Sequence, residues 1–261
     1  SLSNKYNINI DTNDMSVSVI VPMYNSEKTI QMCLDSLLMQ TYKNINIVVI
    51  DDCSTDNSYN IVKQYSKYHE NIFLYKTDIN SGCYVARNIG IKKSLSDLIA
   101  FQDADDISLP TRIEKQVNII KGGKELCGCK WFRSKYIFDN ITFEKILKEN
   151  KSKLPILAFA TMMIKRNVFN KIGYLSEKYR HSMDYEFYDR YYFYKKKYIC
   201  DMCVWMFFSK NSIENEDFYY IINEILYISQ PLGSNNITTK FLDKLTSNDK
   251  INLRNEFILK Y

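Results

Sequence analysis

The sequence predicts an α/β fold, an open, twisted, mostly parallel sheet flanked by helices. Short β-branched apolar runs begin at Val17, Ile45, Ile72 and Leu98. They follow one another at roughly 27-residue intervals, the pace of strand–helix–strand units. The intervening segments carry apolar residues at helical spacing. Polar residues gather at the carboxyl ends of three runs, which is where such sheets bind ligands.

Each element has its own signal. Val17-Ser18-Val19-Ile20-Val21 is β-rich and stops at Pro22. Ile30, Cys33, Leu34, Leu37 and Leu38 then line one face of a helix. Residues 45–50 form a nearly continuous apolar strand ending in Asp51-Asp52, and Ser54 or Asp56 can cap a helix carrying Ile61, Val62 and Tyr65. A third strand, Ile72-Phe73-Leu74-Tyr75, precedes a helix from about Tyr84 through Ile91. The fourth, Leu98-Ile99-Ala100-Phe101, is followed by a helix from Thr111, behind Pro110. Beyond it, residues 126–138 and 198–208 read as strands, and 156–170 and 184–196 have helical spacing. From about residue 214 the pattern is polar and helical, with Ile221, Ile222, Ile225 and Leu226 as one stripe and Phe241, Leu242 and Leu245 as another. The expected organisation is a polar leader over 1–14, a domain over 15–210 in two halves (15–110 and 111–210), and a helical extension over 211–261.

Composition narrows the function. A chain of 261 residues buries roughly three-quarters of its unfolded surface without help from disulfides or metals. Hydrophobic residues at 46% and charged residues at 25% exclude disordered, collagenous and fibrous classes. The net charge of +5 is dispersed, and its one local run, Lys195-Lys196-Lys197, reads as the solvated end of a helix. No nucleic-acid partner is expected. Seven cysteines, no signal peptide and no apolar run near the roughly 18 residues of a membrane span predict a cytoplasmic or otherwise intracellular chain with no transmembrane segment. Cys127 and Cys129 are too close in sequence for an ordinary structural zinc site, and no His lies nearby.

Three segments carry chemistry. In Gln102-Asp103-Ala104-Asp105-Asp106 an apolar strand empties into carboxylates. Crowded carboxylates repel one another unless a cation sits between them, and hard divalent cations favour such ligands. A solvated acidic turn before Pro110 is the other reading. Asp51-Asp52 ends the second strand, where a carboxylate can accept from a base N–H or a ribose hydroxyl. Asn80-Ser81-Gly82 leads into a helix bearing Arg87, which could pair with an acidic strand end or a diphosphate.

Taken in order, Val21-Pro22-Met23-Tyr24-Asn25-Ser26-Glu27, Ile50-Asp51-Asp52-Cys53-Ser54-Thr55-Asp56, Ala86-Arg87-Asn88-Ile89-Gly90 and Gln102-Asp103-Ala104-Asp105-Asp106 resemble the inverting family 2 glycosyltransferases. The resemblance extends through residues 161–173 and 183–190, covering about 17 to 208. It implies a GT-A fold with a Rossmann-like nucleotide-binding half (15–110) and an acceptor-binding half (111–210). It also implies single displacement from a nucleotide sugar, a UDP-sugar by preference, to a glycan, protein or lipid acceptor, with Mn²⁺ or Mg²⁺ as cofactor. Hexosyl and N-acetylhexosaminyl transfer both fit. Pro22, Tyr24, Asn25 and Glu27 would line the nucleotide pocket, and Asp51 or Asp52 would read the base. Asn80 and Arg87 would hold the nucleoside. Asp103 and Ala104 would face the donor, with Asp103 on ribose or a water of the metal and Asp105 on the metal itself. Asp184 would be the general base, with Glu186 as the alternative. Met183 stands where the family usually has a Glu, and residues 208–212 lack its metal-binding His. These departures leave a second reading, a catalytically degenerate domain that binds a nucleotide sugar or a partner protein. No G-x-G-x-x-G or G-x-S-x-G is present, which excludes dinucleotide oxidoreductases and α/β-hydrolases. A nucleotidyltransferase would need a Gly-rich basic loop after the first strand, where this chain has Pro22-Met23-Tyr24-Asn25.

Overall fold

A computed structural model describes residues 14–133, 158–177, 184–196 and 220–229. Residues 1–13, the expected strand at 198–208 and the stripe at 241–245 lie outside them. The chain runs β1 (Val17–Met23), α1 (Ile30–Leu38), β2 (Ile45–Asp51), α2 (Ser58–Tyr68), β3 (Ile72–Lys76), α3 (Cys83–Lys93), β4 (Leu98–Phe101), β5 (Ile107–Ser108), α4 (Arg112–Lys121) and β6 (Leu126–Arg133). A 3-10 turn (Phe159–Thr161), β7 (Met163–Lys165), α5 (Arg166–Ile172), α6 (Asp184–Lys196) and β8 (Tyr220–Ser229) follow.

These strands form one mixed sheet in the order β3-β2-β1-β4-β7-β6-β8-β5. β1 is parallel to both β2 and β4, while β7 is antiparallel to β4 and β6. The chain steps outward from β1 to β3 and then returns to β4 on the other side of β1. That reversal is a topological switch point, and it opens a crevice at the carboxyl ends of β1 and β4.

Period-2 alternation feeds two cores. Val17, Val19, Val21 and Met23 face α1, α2 and α4, meeting Ile30, Leu34, Leu37, Val62, Ile113 and Val117. Ile20 and Phe101 face the other layer, with Tyr84, Ala86, Ile91, Val168 and Phe187. Coverage on both faces explains why these strands read as continuous apolar runs. Gly90 lets α3 lie close to β1, since a Cβ there would clash with Ile20 Cγ2.

Two expectations are corrected. Residues 156–170 are not one helix. Met163 and Ile164 alternate into the two opposite cores, a strand pattern, and β7 fills the gap between β4 and β6. The stripe Ile221, Ile222, Ile225 and Leu226 is likewise a strand. β8 runs parallel to β6 with a register shift at Lys130 and antiparallel to β5, and its β-branched and aromatic residues suit that surface. The sheet therefore extends past residue 210 into the segment expected to be helical.

Candidate active site at the carboxyl edge of the sheet

The crevice is built from loops that brace one another. Asn25 and Cys53 both adopt left-handed φ, 48° and 63°, a conformation that costs a non-glycine residue about 1–2 kcal/mol. Hydrogen bonds between the β1–α1 and β2–α2 loops offset that cost. Asn25 N donates to Ser54 Oγ (3.0 Å), and Ser26 N to Ser58 Oγ (2.7 Å). Glu27 N donates to Asp56 Oδ2 (3.0 Å), and Asn57 N returns a bond to Glu27 Oε2 (3.0 Å). Thr55 N donates to Asn25 Oδ1 (2.8 Å). The Asn25 carboxamide oxygen and the Glu27 carboxylate thus hold the neighbouring loop. Asp56 also accepts from Ser58 N (2.9 Å), the first amide of α2, but the N-cap position is Asn57 rather than the expected Ser54 or Asp56. Pro22 is half-buried inside β1. Tyr24, the first residue beyond that strand, keeps 45% of its surface exposed at the mouth of the crevice.

Asp51 and Asp52 are both buried but are used differently. Asp52 accepts from Ser81 N (2.9 Å), Gly82 N (2.7 Å) and Thr77 Oγ1 (3.1 Å), which folds the 77–82 loop over the site with half-buried Asn80 in it. Asp51 accepts from Ser54 N through Oδ1 (3.2 Å). Its Oδ2 has no hydrogen-bond partner and lies 3.7 Å from Lys76 Nζ.

At the end of β4, Ala104 is buried in the core while Asp103 and Asp105 remain at the surface on either side. Arg87, projecting from α3, donates from Nη2 to Asp103 Oδ1 at 2.7 Å. Its guanidinium lies between the Tyr84 and Phe159 rings at 5.3 and 5.1 Å. Burial opposes its charge, but the neighbouring Cys83 and Asp103 outweigh that and keep its pKa above the ordinary value. Asp105 is open to solvent yet crowded by protein, as on the wall of a cleft. Desolvation, reinforced by Asp103, pushes its carboxyl up to about 6. Beneath the turn, burial and then Asp106, Asp105 and Asp103 push the Cys33 thiol up, and it donates to Asp103 O at 3.5 Å. Among the described residues no group of three or more His, Cys, Asp or Glu is gathered as a metal cage. Asp103 and Asp105 supply two hard oxygen donors, which suits a cation sharing its shell with diphosphate and water.

Asp184 is the first residue of α6. Glu186, two residues on, is buried and forked by Arg190, Nε to Oε1 at 2.6 Å and Nη2 to Oε2 at 2.8 Å. Arg190 also binds the carbonyls of Ile172 and Tyr174. Asn88 holds the next turn through Leu175 N and O (3.0 and 2.8 Å). His69 follows α2 and stacks on Tyr65, while Met183 and residues 208–212 lie outside the described residues.

Sequence reasoning missed the polar cluster under the acidic turn, made of Gln102, Ser108, Arg112 and Gln116, all buried. One signal was available. Arg112 lies in the first turn of a helix, where the macrodipole disfavours a cation.

A family model for glycosyl transferase family 2 matches residues 18–211. The chain belongs to this family. Among the glycosyltransferases it resembles, an uncharacterized one of Rickettsia typhi is 32% identical over 185 residues, 65% of this chain and 56% of that protein. An uncharacterized one of Haemophilus influenzae is 30% identical over 185 residues, 66% and 60% of the two chains. This family 2 chain thus spans little more than half the length of those curated relatives. Its fold matches S. aureus TarS in complex with UDP-GlcNAc, with TM-score 0.65 and 20% identity over 86% of this chain and 61% of that one. It also matches the mannosyltransferase PcManGT of Pyrobaculum calidifontis, in complex with GDP-Man and Mn²⁺, with TM-score 0.58 and 17% identity over 88% and 60%. The sheet of this family 2 chain is therefore GT-A-like, as expected.

Proposed function

We propose that the chain is a metal-dependent inverting glycosyltransferase moving a hexosyl or N-acetylhexosaminyl group from a UDP-sugar to a hydroxyl of a glycan, protein or lipid. The observation that carries this reading is the division of labour at the switch point. Arg87 engages Asp103, and Asp105 stands beside it, open to solvent and short of a counter-charge. Asp105, with Asp103 behind it, would hold Mn²⁺ or Mg²⁺, which when bound neutralises the departing diphosphate.

The protein's own groups would do the rest. Asp51 Oδ2, left without a hydrogen bond, would accept the N3–H of uracil, and the Tyr24 ring would cover the base. Asp52 is occupied with the 77–82 loop, which favours Asp51 as the base reader. Asp184 would take the proton of the acceptor hydroxyl as the donor's anomeric bond breaks. The fork of Arg190 on Glu186 favours Asp184 over Glu186 for that role.

The test is thermal unfolding with UDP, GDP, CMP or TDP, in Mn²⁺ or EDTA, for wild type and Asp105→Asn. A nucleotide at 100 times its Kd stabilises by about 2.7 kcal/mol, roughly 5–10 °C for a chain of this size. A Mn²⁺-dependent shift with UDP, lost in the variant, is expected. No shift with any nucleotide overturns the donor-site reading. A UDP shift without UDP release from any UDP-sugar replaces the transferase with a binding domain.

A further inference from the structure

We infer that Arg112 is a positioning residue that, through Gln102, fixes the spacing of the Asp103 and Asp105 carboxylates; the inference rests on the donor-site reading above. The Arg112 side chain is wholly buried. Its Nη1 donates to Gln102 Oε1 and Ser108 Oγ, both at 2.8 Å. Its Nη2 donates to Phe101 O (2.7 Å) and Ala160 O (3.0 Å), and its Nε to Gln116 Oε1 (3.2 Å). Phe101 and Gln102 enter the acidic turn and Ser108 leaves it, so one planar guanidinium grips both ends.

Gln102 carries the grip inward. Its Nε2 donates to Asp106 O at 2.8 Å and its Oε1 accepts from Ser108 Oγ at 2.6 Å. Asp106 N closes the turn on Asp103 O at 3.1 Å. Within the turn the Asp103 and Asp105 carboxylates repel each other, and without a staple it would relax by spreading them. Ala160, bound to the same guanidinium, belongs to the 3-10 turn of the other half of the domain, and Gln116 Nε2 reaches the next carbonyl, Thr161 O, at 2.8 Å. The acidic turn is thereby registered against that half as well. Folding alone does not call for this arrangement, because apolar side chains of similar volume replace buried charges at little cost. Lysine keeps the charge but lacks the rigid fork.

The experiment compares wild type, Arg112→Lys, Gln102→Met and a core control, Val117→Ala. For each, the melting temperature in EDTA is measured, together with the Mn²⁺ concentration giving half of the UDP-induced thermal shift. Arg112→Lys and Gln102→Met are expected to raise that Mn²⁺ concentration tenfold or more. Val117→Ala should lower the melting temperature and leave the Mn²⁺ requirement within twofold of wild type. If Arg112→Lys does not fold, Gln102→Met decides, since it leaves the other guanidinium bonds in place. A wild-type Mn²⁺ requirement in the folded variants, whatever their melting temperature, overturns the positioning role. Absence of any Mn²⁺-dependent UDP shift in wild type removes the donor-site reading itself, and that is seen before any variant is made.

Discussion

Cutting the Arg87–Asp103 pair from its two ends should give unequal losses. The guanidinium side chain is 7% exposed and the carboxylate 38% exposed, at 2.7 Å. In Arg87→Met the thioether chain fills the space between Tyr84 and Phe159, and the Asp103 carboxylate already reaches water. Solvent screening holds that loss near the surface-pair value, about 1 kcal/mol. In Asp103→Ala the cation stays buried with Nε already lacking a hydrogen-bond partner. Stranding a buried charge costs about 3–5 kcal/mol. Each kcal/mol moves the melting temperature by roughly 2–4 °C, so Asp103→Ala should melt at least 4 °C below Arg87→Met. Thermal melting, with urea titration for the free energies, of both single variants and the double variant measures this, and the double should recover most of the excess loss. Equal losses, or a larger one for Arg87→Met, would refute the argument that the guanidinium is the member that needs its partner.

Three further outcomes are expected. Asp105, raised from 3.8 to about 6 in the folded chain, binds its proton more tightly folded than unfolded, so its contribution to stability is full below pH 3.8 and is lost as pH rises toward 6. Stability against pH in wild type and Asp105→Asn, without metal, should differ in slope across that window, and parallel curves would count against the shift. Asp184→Asn should lower the transfer rate by roughly 10²–10⁴-fold with UDP affinity unchanged, whereas Glu186→Gln should chiefly lower the melting temperature; steady-state rates beside thermal shifts separate the two. Gly90→Ala should destabilise by about 1–3 kcal/mol, because the new methyl meets Ile20, and a urea midpoint at the wild-type value would contradict that close approach.

The parts of the molecule readable in the sequence are those whose signals are local. The runs at Val17, Ile45, Ile72 and Leu98 became β1 to β4 because strands covered on both faces are apolar throughout, and the polar residues ending them mark the crevice. β7 and β8 were not readable as strands. Three residues at β7 carry too little periodicity, and the Ile221–Leu226 spacing fits a helix face as well as a strand until β6, some ninety residues earlier in the chain, is seen beside it. That Asp52 and not Asp51 is engaged by the 77–82 loop depends on where Ser81 and Gly82 turn their amides. The bonding of Arg112 was not legible, since its acceptors come from four separate segments of the chain.

The pairing of β8 with β6 and β5 bears on how this chain is made. The region shared with the family model stops at residue 211, yet the sheet takes up residues 220–229. A nascent chain emerging from the ribosome therefore has its whole candidate site synthesised while β6 still presents an open row of amides and carbonyls. Such a row is a template for pairing with another chain. A truncation at 211 would make that exposure permanent, so a shortened chain that retains every candidate active-site residue should still be prone to aggregate.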